Sequence, residues 1–340
     1  MWPCLQCKRH RVEAQNGQCK PPGEVSSEEM PLVDSILRAL PRRRIADLPL
    51  NFSRLPAYRA EYFPDSGPKP WLDRDNWSQQ IETLPAEQAA LCRHWAETGY
   101  VILPKLIPDS LLDVAWQAYE QSVQGGNITL APEPAADGDP LPGRCLNPHK
   151  RVRPFCSVAK HLELMHWLQR LLGHPVKLLQ TIASHKGSQQ SAHSDSIHMT
   201  TYPLGYLAAA WIAFEDIRTE SGPLEFYPGS HRLPYVFSRD LQISVDDMKK
   251  DGYTSYRARY EPHVRRLIAE HGLQPKYFEA RKGDVLIWHA NLLHGGSQRR
   301  DLGLTRKALV GHYFAVGAFV YHDLSAVSSR QQYFGGCLVR

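Results

Sequence analysis

The chain has 340 residues, of which 42% are hydrophobic and 22% are charged. This length and apolar content fit one large domain with an appendage, and they are sufficient for a sizeable core. The formal net charge of +5 is a mild imbalance, and aromatic-plus-basic RNA-binding motifs are absent, so nothing indicates a nucleic-acid partner.

The cysteines and the apolar pattern bear on where the protein resides. Its seven cysteines are odd in number and scattered, which is typical of a reducing compartment rather than of a disulfide framework. The N-terminus has no apolar signal region, and no stretch approaches the ~18 apolar residues of a membrane span. We therefore expect a cytoplasmic protein without a membrane partner.

Residues 1–84 are predicted to form a partly irregular N-terminal extension, because they are rich in proline, arginine and polar side chains. Cys4 and Cys7, with Cys19 further on, resemble part of a zinc knuckle, but only His10 is near enough to serve as a fourth ligand. A loosely ordered leader is the favoured interpretation, and a structural zinc site is the alternative.

From residue 85 the pattern becomes regular, and the first elements are mostly helical. Apolar spacing predicts helices over 87–98, 109–123 and 161–172, with Asp109 as the N-cap of the second. A short strand is predicted over 100–103. The loop at 129–149, rich in proline, glycine and alanine, is predicted to be a lid or a mobile segment.

The remainder of the chain reads as strands separated by glycine and proline turns. They are predicted over 176–183, 205–214, 224–227, 284–288 and 308–315. An insertion at about 239–281 has mixed charge and a helical pattern around 262–271. Short strands punctuated in this way indicate a sandwich or a barrel.

Two short motifs, far apart in the chain, contain the residue types of a metal site. His193 and Asp195 are two positions apart, so on an extended strand both side chains point to the same face and can bind one ion. A histidine from the segment 283–295 would complete a set of two imidazoles and one carboxylate, which is the facial triad of non-haem Fe(II) oxygenases. The residues alone leave His289 and His294 as alternatives for that third ligand.

An isolated His-x-Asp pair is more often a hydrogen-bonded surface pair than a metal site. Here the pair follows the polar run at 186–190, which comes directly after an apolar strand. A metal site at the open end of a barrel needs this placement, with ligands at strand ends and a polar mouth.

Taken together, the motifs resemble those of the phytanoyl-CoA dioxygenase family of Fe(II)/2-oxoglutarate oxygenases. The resemblance covers roughly residues 85–320. Its segments, in the order of the family, are GYVIL at 99–103, HSD at 193–195, WIAFED at 211–216, ESGPL at 220–224, YPGSH at 227–231, GDV at 283–285, NLLHG at 291–295 and RKAL at 306–309.

The resemblance implies a role for each candidate site residue. The iron ligands would be His193, Asp195 and His294, which leaves His289 as a hydrogen-bonded structural histidine. Arg306 matches the arginine that binds the distal carboxylate of 2-oxoglutarate, a task suited to the planar guanidinium fork. By similarity to the ectoine hydroxylase branch, Gln180 would donate to the same co-substrate.

The resemblance also implies the fold and the activity. Residues 85–340 would form a mainly β domain, a double-stranded β-helix of the jelly-roll, cupin-like kind with flanking α-helices. Its cofactors would be Fe(II), 2-oxoglutarate and O2, and it would hydroxylate an unidentified small or carrier-linked metabolite with release of succinate and CO2. Related halogenases have a small residue where this chain keeps Asp195, which favours hydroxylation. The alternative is a non-catalytic cupin-like metal- or ligand-binding protein, which would have no need of Arg306.

Overall fold

The computed structural model describes residues 70–131, 139–316 and 318–324. Most of the predicted N-terminal extension lies outside these residues, and so do its candidate zinc ligands, so both the extension and the zinc site stay predictions. The candidate ligands concerned are Cys4, Cys7, Cys19 and His10.

The described part of that extension packs on the domain. Residues 70–84 contain two short 3-10 helices, Trp71–Asp73 and Trp77–Ile81. Their buried side chains Trp71, Leu72 and Ile81 belong to the main hydrophobic core. The regular structure therefore begins before residue 85.

Six α-helices lie among the described residues, and three of them match the helices predicted ahead of the strands. The 109–123 prediction is correct in extent, but Asp109 is the first helical residue and Pro108 occupies the N-cap, so the predicted cap was wrong. The helix α3 was not predicted, since it is only two turns long. The helices are α1 (Ala86–Thr98), α2 (Asp109–Gln124), α3 (Arg153–Ala159), α4 (Leu162–Leu172), α5 (Val245–Asp251) and α6 (Thr254–Glu270).

The strands form three antiparallel sheets. The largest has six strands in the order β1-β8-β5-β10-β3-β2, a smaller one has the order β7-β6-β9, and β11 pairs with β4. The strands are β1 (Tyr100–Leu103), β2 (Cys145–Leu146), β3 (Val176–Ser184), β4 (Thr200–Tyr202), β5 (Leu207–Ala213), β6 (Leu224–Phe226), β7 (Lys276–Phe278), β8 (Val285–His289), β9 (His294–Gly296), β10 (Ala308–Ala315) and β11 (Phe319–Tyr321).

The centre of the six-stranded sheet is buried on both faces, as β5 shows. Its residues Ala208, Ala210 and Ile212 belong to the core that also contains the helices α1 to α4. The alternate residues Ala209 and Trp211 face a second core, which they share with side chains of β6 and β7. A strand buried on both faces reads as a continuous apolar run, as β5 does in the sequence. The second core lies between the six-stranded sheet and the sheet of β6 and β7.

The predicted insertion is largely helical, with α5 and α6 followed by β7. Its helical part is longer than the 262–271 segment that the pattern indicated. Among the described residues, no helix is long and apolar enough to cross a membrane.

A buried ion cluster holds the end of the 129–149 loop against the barrel. The Asp139 carboxylate accepts from the Lys186 ammonium at 2.9 Å and binds the Arg299 guanidinium through both of its oxygens. The three side chains are at most 4% exposed. Lys186 therefore does not lie in a polar mouth, as the 186–190 run had suggested, because its charge is neutralised inside the protein.

Removing the Asp139 carboxylate should destabilise the fold strongly. Asp139→Asn leaves two buried cations without their counter-ion, a change that costs about 3–5 kcal/mol in comparable buried pairs. Urea denaturation measures the loss. A matched control is Asp113→Asn, which removes only an exposed ion pair with Lys282 and should cost less than ~1 kcal/mol. Equal effects of the two substitutions would contradict the buried cluster.

The same cluster should make stability depend on acid pH. The hydrogen bonds from Arg299 hold the pKa of Asp139 well below its usual range. A carboxyl whose pKa is lower in the folded state stabilises the fold above its unfolded pKa of about 3.9, and this contribution is lost as the pH falls. Wild-type stability should therefore decline below pH ~4 more steeply than that of Asp139→Asn.

Candidate metal centre

His193 and His294 lie side by side, because their backbones form an antiparallel bridge. Each amide N–H donates to the carbonyl oxygen of the other residue at 2.9 Å. Asp195 does not continue an extended strand as predicted, since it begins the 3-10 turn Asp195–Ile197. All three side chains are buried, and their potential ligand atoms lie within 4.8 Å of one another. This is the one such group of histidine, cysteine and acidic residues found within the described parts of the chain.

The glycines after His294 allow this close approach. A Cβ atom at Gly295 would lie 2.7 Å from the carbonyl oxygen of Gln190, a distance that real Cβ atoms essentially never show. Gly296 is packed as tightly against the same loop. Because only glycine lacks a Cβ, the strand β9 can lie directly against the loop that carries His193.

The two imidazoles are oriented as metal ligands. The Nδ1 of His193 lies 2.9 Å from the carbonyl oxygen of Ser191, and the Nδ1 of His294 lies 3.0 Å from that of Leu292. An imidazole that donates from Nδ1 presents the lone pair of Nε2, and metal-binding histidines are commonly fixed by such a bond to a backbone carbonyl. The Nε2 of His193 has the side-chain amide of Gln190 at 3.3 Å.

The carboxylate of Asp195 has two distinct oxygens. Its Oδ2 accepts a hydrogen bond from the indole Nε1 of Trp288 at 2.9 Å. Its Oδ1 lies 3.7 Å from the Nε2 of His294 and 3.4 Å from the Nε2 of His312. Oδ1 is therefore the oxygen that faces the histidines.

The electrostatics of the group favour the protonation states that bind metals. Burial, reinforced by His294, lowers the pKa of His193 to about 4, so its imidazole is neutral at physiological pH. Burial opposes ionisation of Asp195, but His312 and His294 outweigh it and hold the pKa of Asp195 well below its usual range. A neutral imidazole at His193 and an ionised carboxylate at Asp195 are the protonation states in which these side chains bind metals.

His289 lies outside this group. It ends β8, and its Nδ1 accepts from the backbone N–H of Asn291 at 3.1 Å. Its ring packs against Trp95 at 6.0 Å and His231 at 5.7 Å between centroids. The structure thus brings His294, and not His289, next to His193.

Arg306 lies just before β10 and is buried. Its Nη1 donates to the carbonyl oxygen of Gly222 at 2.9 Å, and its Cζ lies 5.6 Å from the centre of the Trp211 ring. Ala308, two residues on, belongs to the second core. Because side chains alternate along a strand, Arg306 is on the side of the chain that faces the barrel interior.

Gln180 lies on β3, and its amide Nε2 is 3.4 Å from the Nδ1 of His312. It is also 3.7 Å from the sulfur of Met199. The residue thus contacts the neighbour of Asp195, and its predicted hydrogen bond to 2-oxoglutarate stays a prediction.

Trp288 and His312 also lie at this site, and neither was predicted as a site residue. Both could have been found from the alternation of inward- and outward-facing side chains along a strand. Trp288 lies two residues after Leu286, on the inner face of β8. His312 is a polar residue within the mostly apolar strand β10, and its side chain lies on the same side of the chain as that of Arg306. Their contact with Asp195, which comes from a different part of the chain, could not have been found in this way.

Comparison with known proteins agrees with this geometry. The sequence model of the phytanoyl-CoA dioxygenase family (PhyH) matches residues 95–308. Human peroxisomal phytanoyl-CoA dioxygenase (Homo sapiens) is 20% identical over 262 residues, which cover 69% of this chain and 70% of that protein. Phytanoyl-CoA dioxygenase domain-containing protein 1 of Mus musculus is 47% identical over 111 residues, which cover 31% of this chain and 36% of that protein.

Solved structures share the fold at low sequence identity. The epimerase SnoN from nogalamycin biosynthesis, in complex with Fe3+, alpha ketoglutarate and nogalamycin RO, has a TM-score of 0.55 and 16% identity, covering 75% of this chain and 94% of that chain. EctD from S. alaskensis with 2-oxoglutarate and 5-hydroxyectoine has a TM-score of 0.53 and 17% identity, covering 72% and 81%. These similarities confirm the predicted fold class, a mainly β jelly roll with flanking helices.

The family match decides between the enzyme and the non-catalytic binding protein. It spans more than half of the chain and includes all three residues of the buried His-Asp-His group. The protein therefore belongs to the phytanoyl-CoA dioxygenase family and is an Fe(II)/2-oxoglutarate-dependent dioxygenase.

Proposed function

We propose that the protein is a hydroxylase of an unidentified small or carrier-linked metabolite, with succinate and CO2 as the products of its co-substrate. The observation that carries this proposal is the buried group of His193, Asp195 and His294, which offers two imidazoles and one carboxylate to a single ion. These residues would hold Fe(II), which supplies the one-electron and O2 chemistry when bound.

Asp195 supports hydroxylation over halogenation. The family resemblance implies that a halogenase has a small residue here, so that chloride can occupy the place of the carboxylate. In this chain the carboxylate is 4% exposed and is hydrogen-bonded through Oδ2 to Trp288. A buried, ionised carboxylate leaves no room for a second anion at the same position.

Arg306 would bind the distal carboxylate of 2-oxoglutarate. Arg306 is 5% exposed and lies just before β10, with its guanidinium beside the aromatic ring of Trp211. A charge-assisted hydrogen bond in such a low-dielectric setting is strong, and the planar fork matches a carboxylate. Gln180 would assist at the same co-substrate, and it lies on the neighbouring strand β3.

We place the reacting part of the substrate beside His193, next to aromatic residues that the insertion supplies. The ring of His198 is 5.6 Å from that of His193 and 5.3 Å from that of Tyr256 on α6. Tyr253, at 43% exposure, continues the aromatic series to the surface. The Nε2 of His198 is buried, and no described residue hydrogen-bonds to it. Such a lining suits an apolar or planar group that carries one hydrogen-bonding atom.

The co-substrate assignment has a direct spectroscopic test. Under anaerobic conditions, the protein given Fe(II) and 2-oxoglutarate should develop the weak visible charge-transfer band of the chelate. The band should not appear with either component alone. A well-folded protein that binds both but shows no band would contradict the proposed arrangement.

The reaction class is tested by product analysis. Succinate release should rise above the level seen without substrate when a metabolite panel includes the correct compound, and mass spectrometry should find that compound heavier by one oxygen atom. A chlorinated product in the presence of chloride would contradict the hydroxylase proposal.

A further inference from the structure

The two oxygens of Asp195 are held differently, and the residues that hold them have no assigned role. Trp288 lies at the inner face of β8, is 2% exposed and donates its indole N–H to Oδ2 at 2.9 Å. The same indole packs against His294, with ring centroids 4.7 Å apart. Trp288 therefore contacts two of the three residues in the metal-binding group.

The indole has a single donor, and burying it without an acceptor is unfavourable. Trp95 provides the contrast within the same protein. It is also fully buried, but its Nε1 has no hydrogen-bond partner among the residues that the structure describes. Trp288 is thus distinguished from another core tryptophan by its bond to Asp195.

His312, on β10, lies near the other oxygen of Asp195. Its Nε2 lies 3.4 Å from Oδ1 of Asp195, and its Nδ1 lies 3.4 Å from the amide nitrogen of Gln180. The amide N–H of Gln180 can donate to Nδ1, and Nε2 is the ring nitrogen that faces Asp195. His312 thus lies between the amide of Gln180 and Oδ1 of Asp195.

We propose that Trp288 and His312 are positioning residues that make Asp195 a ligand through one oxygen. This inference rests on the proposed role of Asp195 as an iron ligand. With Oδ2 held by the indole, the carboxylate is fixed with Oδ1 towards His294 and His312, so Oδ1 is the oxygen placed to bind an ion. A carboxylate free to offer both oxygens would occupy a further coordination position, which 2-oxoglutarate or O2 requires. Partners of ligating carboxylates tune metal sites in this way.

The test compares Trp288→Phe with Trp95→Phe, two substitutions that each remove one buried indole. Fe(II) affinity is measured anaerobically by equilibrium titration, the charge-transfer band is recorded after 2-oxoglutarate is added, and Tm is followed for both variants. Trp288→Phe should weaken Fe(II) binding by roughly 10- to 100-fold and shift the band, as expected for loss of an outer hydrogen bond. Trp95→Phe should lower Tm while both the affinity and the band stay at wild-type values.

A conservative variant and a second position separate a hydrogen bond from packing. Trp288→His retains a ring N–H and should recover part of the affinity that Trp288→Phe loses. If Trp288→Phe does not fold, His312→Leu carries the test, with an expected Fe(II) affinity roughly 10-fold below that of His312→Gln. The proposal is overturned if Trp288→Phe, or in its absence His312→Leu, binds Fe(II) and shows the band as the wild type does. It is also overturned if Trp95→Phe has the same effect as Trp288→Phe. Failure of the proposed function itself would be seen as a missing band in the wild type.

Discussion

His294→Ala should abolish iron binding and turnover, whereas His289→Ala should leave both largely intact. The two histidines lie in one short segment, but only His294 lies against His193, with ring centroids 4.5 Å apart. Loss of an outer-shell hydrogen bond costs roughly 10- to 100-fold in metal affinity, so loss of a ligand should cost more than 100-fold. Equilibrium Fe(II) binding and succinate formation measure the effect.

Asp195→Ala should match His294→Ala, since each removes one of three donors. Both variants should keep a cooperative thermal transition, because the cores of the barrel contain neither side chain. His289→Ala serves as the control for loss of a buried imidazole, and a lower Tm with normal iron binding is expected. If His289→Ala loses iron and His294→Ala retains it, the ligand assignment is wrong.

Arg306→Leu should raise the concentration of 2-oxoglutarate that is needed for half-maximal binding by roughly 10- to 100-fold. A hydrogen bond between charged groups contributes about 1.5–3 kcal/mol, and each 1.4 kcal/mol corresponds to a factor of about ten. Titration of the charge-transfer band with 2-oxoglutarate gives this number directly. Fe(II) affinity without co-substrate should not change, since Arg306 is not in the metal-binding group.

Arg300→Leu is the matched control for Arg306→Leu. Arg300 is six positions earlier in the same segment, but its side chain is exposed. A neutralised surface charge has little effect on a buried site. Equal losses of 2-oxoglutarate binding in the two variants would point to general electrostatics rather than to a specific contact, and would contradict the assigned role of Arg306.

Local patterns were sufficient for most of the secondary structure. The strand β10 has the predicted bounds, and Gly99 and Gly173 end their helices in the left-handed conformation that glycine adopts readily. Strand bounds and helix ends depend on a few adjacent residues, so they can be predicted from one sequence without knowledge of the fold. The short helix α3 was missed, and the N-cap of α2 was placed one residue late, because too few residues define such features.

Contacts between distant segments were not accessible in this way. Lys186 appeared to be a surface residue of a polar run, and its burial depends on Asp139 and Arg299, which come from two other loops. The contacts of Asp195 with Trp288 and His312 are likewise not local, because Asp195 begins a 3-10 turn while Trp288 is on β8 and His312 is on β10. No local pattern encodes such partners, because they are set by how the sheets pack.

The donor types of this site follow from the amino-acid sequence alone, and the family motifs add the class of chemistry. Histidine and aspartate side chains supply nitrogen and oxygen donors, which limits the ions that can bind. The residues alone leave His289 and His294 as alternatives, and the family resemblance favours His294. The contact of His294 with His193, and the indole that holds one oxygen of Asp195, are seen only in the folded chain. The reason is that a metal site is defined by distances of a few ångströms, and those distances arise when β9 packs against the loop before Asp195.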